Sequence, residues 1–278
     1  MKRRAAAMIL LCALGCGFIS QVSGQELSGY VAPEVMAFSS KALYPGQERI
    51  NAALAIQPEF YYEWENGSSF TCVPFVRFDS GDSRRSHFDL RELNYLWLHD
   101  IWELRFGVGK VFWGTTEFVH LVDIINQTDL VENIDGEDKL GQPMVHLSVP
   151  RNWGVIDLFL LPYFRERTFP GRGGRLRFPL LIDTDRARYE SSADKHHVDF
   201  AVRYSQTIGA WDFGLYYFKG TGREPRFILD FDKNGEPVLV PFYDQINQTG
   251  LDLQRVAGQW LLKLEALYRT GQTNSFVA

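Results

Sequence analysis

The side chains best suited to chemistry in this chain stand at every second position. Glu92 and Asn94 alternate with Leu93, Tyr95 and Trp97, and Glu103 and Arg105 alternate with Trp102, Leu104 and Phe106. Asp199 and Arg203 do the same among Phe200, Val202 and Tyr204. Asp252, Lys263, Glu265 and Arg269 do so among Leu251, Leu253, Leu262, Leu264 and Tyr268. Period two collects such groups on one face of a strand. Mixed charges on one face can set an ion preference across a passage. They can equally neutralise one another as packed ion pairs in a small interior. A second set, Arg165, Arg167, Arg172, Arg175 and Arg177, crowds one segment with Gly171, Gly173 and Gly174. Guanidinium forks suit carboxylate or phosphate solutes, although a solvated loop gathers the same residues.

Other motifs carry less. Gly81-Asp82-Ser83 resembles the start of some esterases, but a nucleophilic serine needs a positioned His base, and Ser83 is read as a loop residue. Asp230-x-Asp232-x-Asn234-Gly235 matches half of a calcium loop, yet Pro241 stands where a bidentate Glu is required. His196 and His197 are adjacent and, on a strand, point to opposite faces. No catalytic residue, metal site or cofactor is assigned, and the chain is not read as an enzyme.

The elements that position these groups come after an export address. Lys2-Arg3-Arg4, an apolar run from Ala5 to Ile19 and Val22-Ser23-Gly24 describe a signal peptide over residues 1–24. The run is too short for a membrane helix, and a lipoprotein signal at Cys16 fits less well. Loss of residues 1–24 removes three basic groups and no acid, moving the net charge from −5 to −8. That excludes a nucleic-acid partner on charge grounds. Of three cysteines only Cys72 stays, so no internal disulfide can form.

Strands are expected from Gln25–Phe38, Ile50–Trp64 and Phe70–Phe78, then His87–Gly114 as a hairpin turning at His99-Asp100. That turn places Trp97 opposite Trp102 and Asn94 opposite Arg105. Strand pairs follow at Met144–Phe164 and His197–Phe218, and the last, turning at Ala257-Gly258, sets Asp252 opposite Lys263. Thr115–Gln142, Arg165–Lys195 and Lys219–Ile246 read as long connections. Connections thus run long, short, long, short, as in bacterial outer-membrane barrels with short periplasmic turns. The fold expected is all-β, a transmembrane antiparallel up-and-down barrel over residues 25–278, incomplete, with roughly eleven to twelve strands visible. Trp97 and Trp102 then form an aromatic girdle at the inner interface, and the charged faces line the lumen. A soluble sandwich with polar faces outside is the alternative.

The run Gly109-Lys110-Val111-Phe112-Trp113-Gly114, followed by Leu121–Asn126 and Asp129-Leu130, resembles a porin-like family of Gram-negative outer-membrane barrels of largely unknown function. The similarity returns at Leu161–Arg165, at Gly250–Gln254 and at Lys263–Arg269, with Gln127 where a Pro is expected. The resemblance implies passage or binding of small solutes through a charged lumen. It also implies outer-membrane lipid and the barrel-assembly machinery as partners. A filled structural or adhesion barrel, or a periplasmic sandwich that binds a ligand, are the alternatives. The chain is expected to be cut short of a closing strand.

Overall fold

The period-two segments pair with their neighbours in sequence and make one antiparallel meander. The computed structural model describes residues 24–273 throughout, and pieces of backbone at 9–13, 16–17, 20–22 and 276–277. Eleven strands carry the sheet: β1 (Gln25–Phe38), β2 (Ile50–Glu63), β3 (Ser69–Asp79), β4 (His87–His99), β5 (Trp102–Gly109), β6 (Gln142–Arg151), β7 (Gly154–Leu161), β8 (Asp199–Ile208), β9 (Trp211–Thr221), β10 (Gln245–Ala257) and β11 (Trp260–Thr270). Helical structure among the described residues is limited to two single turns, Thr184–Arg186 and Asp194–His196. The signal-peptide expectation falls mostly outside the described residues. The backbone pieces Ile9–Ala13, Cys16–Gly17 and Ser20–Val22 run antiparallel along the free edge of β1.

Short turns follow β2, β4, β6, β8 and β10, and long connections follow the odd strands, as the sequence predicts. Two registers differ from expectation. The turns lie one residue later, at Asp100-Ile101 and Gly258-Gln259, so that His99 pairs with Trp102 and Ala257 with Trp260. Asn94 therefore faces Gly107, Arg105 faces Leu96, and Asp252 faces Glu265 while Lys263 faces Gln254. Gly258, at φ +63°, takes the first turn position, where a two-residue hairpin favours a left-handed residue. Partners shift by two residues, so every side chain keeps its expected face. Trp97 and Trp102 still touch diagonally, with ring centroids 5.5 Å apart.

The sheet is curled. Flat, eleven strands would span about 50 Å. Yet the segment between β5 and β6 bonds to Arg77 on β3 and to Glu265 on β11. The connection after β7 likewise reaches the first loops: Gln47 donates to the Gly174 carbonyl at 2.7 Å, and Gly171 N–H donates to Asp82 at 2.8 Å. Among the described residues no ladder joins β1 to β11. The third long segment is more ordered than expected. Arg226–Phe231 and Pro237–Tyr243 pair as a hairpin, joined in parallel by Leu181–Ile182 and Arg188–Tyr189.

The apolar core lies inside the curl. Val122, Ile124 and Ile125 of the inserted segment pack with Trp113, Met144, Phe159, Leu161, Ala201, Tyr216 and Phe218. Asn126 fixes the ends of that segment. Its amide donates to the carbonyls of Gly109 at 2.9 Å and Leu140 at 2.8 Å, and its oxygen accepts from Val111 N–H at 2.8 Å. One buried side chain thus closes the base of a connection of some thirty residues, with all its polar atoms satisfied.

Candidate functional site: the charged inner face

Register and burial sort the strand residues into two faces. On the face turned away from the curl, β1 to β3 offer Leu27, Val31, Val35, Ile50, Leu54, Phe60, Phe70, Cys72, Val76 and Phe78, with no charge among them. Over all eleven strands, the charged side chains on that face are Arg151, Lys219 and Arg255, each within two residues of a strand end. Arg255 stacks over Trp211, 4.7 Å from the ring centre. Six of the seven tryptophans, Trp64, Trp97, Trp102, Trp153, Trp211 and Trp260, lie at the short turns or within three residues of them. The sequence reading named only two of these. The seventh, Trp113, is in the core.

The inner face carries the ionisable groups, most of them already partnered. Arg203 of β8 reaches across β9 to Asp252 of β10 and holds it through both terminal nitrogens, at 2.8 and 2.9 Å. Gly214 makes this crossing possible: a Cβ there would come within 2.4 Å of both groups. Asp199 accepts from Thr221 N–H at 2.9 Å and pairs with Arg223 at 2.8 Å. Glu265 accepts the backbone N–H groups of Thr115 at 2.7 Å, Thr116 at 2.9 Å and Val122 at 3.3 Å, anchoring the inserted segment to β11. Lys263 pairs with Glu117 of the same segment, and Arg269 with Glu224 and Gln248. Glu92 accepts from Asn94 at 3.2 Å. Glu103 and Arg105 stand half-buried nearer the turns, and Arg105 Nε is buried with no hydrogen-bond acceptor among the described residues.

A bulge explains what the alternation missed. Val73 pairs with Glu92 but Pro74 pairs with Leu90, leaving Arg91 as the extra residue. Parity reverses there, so Asp89 and Arg91 also face inward, and both are buried. They open a network. Arg91 lies 3.4 Å from Asp89 and 3.0 Å from Asp129 of the inserted segment, and Arg165 lies 2.7 Å from Asp89. Arg77 bridges Glu34 of β1, at 2.6 Å, to Glu132 of the segment, at 2.8 Å. Asp129 is fully buried and also accepts from the Thr168 hydroxyl at 2.6 Å. His87, Asp129 and Glu132 offer ligand atoms within 4.8 Å of one another. Arg77 and Arg91 already balance the two carboxylates, so this geometry favours an internal ion network over a cation.

The five loop arginines do not act together. Arg165 is taken by Asp89, and Arg172 by Asp232 at 3.1 Å and Glu236 at 3.0 Å. Arg175 donates to the Ser40 carbonyl over the Phe38 ring, and Arg177 to the Phe178 carbonyl over the Tyr44 ring. Arg167 differs: its Nε donates to the Gln127 amide oxygen at 3.1 Å. Burial pulls its pKa down, with Glu224 and Tyr243 opposing.

The bland readings of two motifs fit their surroundings. Asp230 is held by Arg186 and Arg188, and Asp232 caps the hairpin turn at Asn234-Gly235. For Ser83 the candidate His base is His197, three residues after Asp194 in the sequence. His197 Nδ1, however, is bonded to Asp199 at 2.9 Å, and no hydrogen bond links it to Ser83 among the described residues.

No family model, curated protein or solved structure matches the chain. The porin-like resemblance therefore has the sequence motifs alone behind it. The class that fold and site define is an all-β protein with one eleven-stranded antiparallel sheet, apolar outside and ion-paired inside.

Proposed function

We propose that the chain is an outer-membrane, porin-like β-barrel that passes or binds small solutes through its charged inner face. The observation that carries this reading is the inverted polarity of the sheet. Its uncovered face is free of charge except near strand ends, while the covered face buries Arg77, Asp89, Arg91, Asp199 and Asp252. In water an apolar face this broad is a liability, since exposed apolar patches rarely exceed a few hundred Å². In lipid it is the required surface, and each Lys or Arg at mid-depth would cost about 2–4 kcal/mol there. Tryptophans beside all five short turns fit one membrane interface. Loop lengths fit a periplasmic position for those turns, and export by a signal peptide cleaved after Gly24 would free the β1 edge along which Ile9–Ala13, Cys16–Gly17 and Ser20–Val22 pair. Among the described residues no second sheet packs on the apolar face, which disfavours a sandwich.

A filled, non-conducting barrel is the second reading. It is favoured by the depth of the inserted segment, where Val122, Ile125, Gln127 and Asp129 are wholly buried. Folding into detergent micelles or vesicles with heat-modifiable gel migration is the first outcome expected. A protein that stays soluble without detergent and migrates identically before and after boiling would overturn the barrel. Planar-bilayer recordings then separate the two readings. Discrete conductance steps support passage, and their absence from folded, inserted protein leaves the filled barrel.

A further inference from the structure

A cavity of about 380 Å³ lies between the inserted segment, β11 and the connections after β7 and β9. Its charged lining is unbalanced: Lys139, Arg167, Arg223 and Arg269 against Asp123 and Glu224, with His120, 3.3 Å from Glu137, as the remaining ionisable group. Three of those cations are spoken for. Lys139 pairs with Asp123 at 3.2 Å, Arg223 with Asp199 at 2.8 Å and Arg269 with Glu224 at 3.1 Å. Arg167 is the exception. Among the described residues no carboxylate comes within ion-pair distance of it, and only its Nε is bonded to a protein acceptor. Its two terminal nitrogens are left to the cavity. A half-buried guanidinium with no bonded counter-charge, Glu224 acting on it only from beyond ion-pair distance, carries a desolvation penalty that an incoming anion would relieve.

The shape of the lining narrows the anion. A free pair of guanidinium nitrogens matches the two oxygens of a carboxylate in one plane. Leu121, Ile124 and Leu267 supply apolar wall in the same cavity, which a fully hydrated inorganic ion would not use. We propose that this cavity is a binding site for small organic carboxylates, with Arg167 as the anchoring fork and Arg269 and Lys139 as the flanking cations. The inference rests on the proposed function only in requiring that solutes reach the inner face. Four of the five loop arginines are thereby scaffold, and solute selection falls to the one whose protein partner is a neutral amide.

Calorimetric titration of the refolded protein in micelles tests this, with butyrate as probe, butyramide as its neutral isostere and inorganic phosphate as a third arm. Saturable butyrate binding is expected, with butyramide and phosphate at least roughly tenfold weaker, as loss of one charge-assisted contact implies. Arg167→Gln should abolish the preference and Arg167→Lys should keep only part of it, because it keeps the charge without the fork. Heat-modifiable migration of each variant shows that it is folded. Equal binding of butyrate and butyramide, tighter binding of phosphate, or unchanged butyrate binding by folded Arg167→Gln would overturn the site. Conductance without an Arg167 effect defeats this inference alone. Butyrate binding without conductance defeats only the passage reading.

Discussion

The two ends of the sheet solve the same problem with different chemistry. At the end that carries the long connections, side chains hold the structure together. Arg77, Arg91 and Arg165 join β1, β3 and β4 to the inserted segment and to the connection after β7, through the almost wholly buried carboxylates of Asp89, Asp129 and Glu132 and the partly buried one of Glu34. At the other end the backbone does most of the holding. Two-residue turns close the hairpins after β4, β6, β8 and β10, and exposed tryptophans flank them. Glu103 and Arg105, the ionisable groups of β5, stand there only half-buried. The loop end is therefore specified by contacts between residues far apart in sequence, and the turn end by local patterning. Substitutions at the loop end should cost stability in any solvent. Those at the turn end should matter mainly where a membrane interface exists.

The largest effect is expected at Asp129. Replacing it with Asn keeps the shape and removes the charge that faces Arg91 at 3.0 Å. Removing one partner of a buried pair typically costs about 3–5 kcal/mol. A lower urea midpoint should follow, with faster proteolysis between Val122 and Leu140. Trp260→Ala sharpens the contrast. That side chain is 76% exposed, so stability in micelles should barely change, while partition into vesicles should weaken. An equal loss in both media would remove the difference between the two ends.

Next in size is Gly214→Ala. The added Cβ would sit 2.4 Å from Arg203 Nη2 and Asp252 Oδ2, so the ion pair must part or β9 must shift. Overpacking of this kind costs about 1–3 kcal/mol. A double variant with Asp252→Asn and Arg203→Gln should lose less from the same alanine. Additive losses would show that Gly214 serves some other need. Glu265→Gln follows at about 1–3 kcal/mol, because an amide nitrogen would oppose one of the N–H donors that the carboxylate now accepts. Its signature is local: earlier hydrogen exchange at Thr115, Thr116 and Val122 with the strands unchanged.

The contrast between the ends also explains what could be read from the sequence. Strand faces and loop lengths follow from period-two spacing, which is a local property. So does the position of a turn, to within the one residue by which Asp100-Ile101 and Gly258-Gln259 were misplaced. Three features are not local. The bulge at Arg91 reverses parity, and nothing in His87–Asn94 marks it, so Asp89 and Arg91 escape a count by twos. Val122, Ile124 and Ile125 have neither strand nor helix spacing and become core only because the curled sheet surrounds them. Three of the five loop arginines draw partners from 60 or more residues away: Asp89 for Arg165, Asp232 for Arg172 and Ser40 for Arg175. Their crowding in sequence therefore implied a cluster that the fold disperses. The tryptophan spacing, by contrast, is a local property, since every short turn has one beside it, although only Trp97 and Trp102 are read from the sequence as a pair.

The smallest effect has the most specific form, and it tests whether the loop end pays for burying charge. Asp138 lies on the inserted segment beside the buried Asp129, and its backbone carbonyl accepts from Asp129 N–H at 2.7 Å. Burial raises its carboxyl above the ordinary 3.8, with Arg91 pulling the other way and Asp129 adding to the rise. A carboxyl whose folded pKa is raised favours the folded state while protonated. That contribution is complete below the unfolded value and is lost as pH climbs through the folded one. Asp138→Asn cannot titrate, so relative to the parent it should gain stability at neutral pH. The gain should fade on acidification and vanish below the ordinary carboxyl range. Urea midpoints across that range give the curve. A difference that stays constant with pH would mean that Asp138 is not penalised by burial, and that the ion network of the loop end reaches one carboxylate further than its bonded partners.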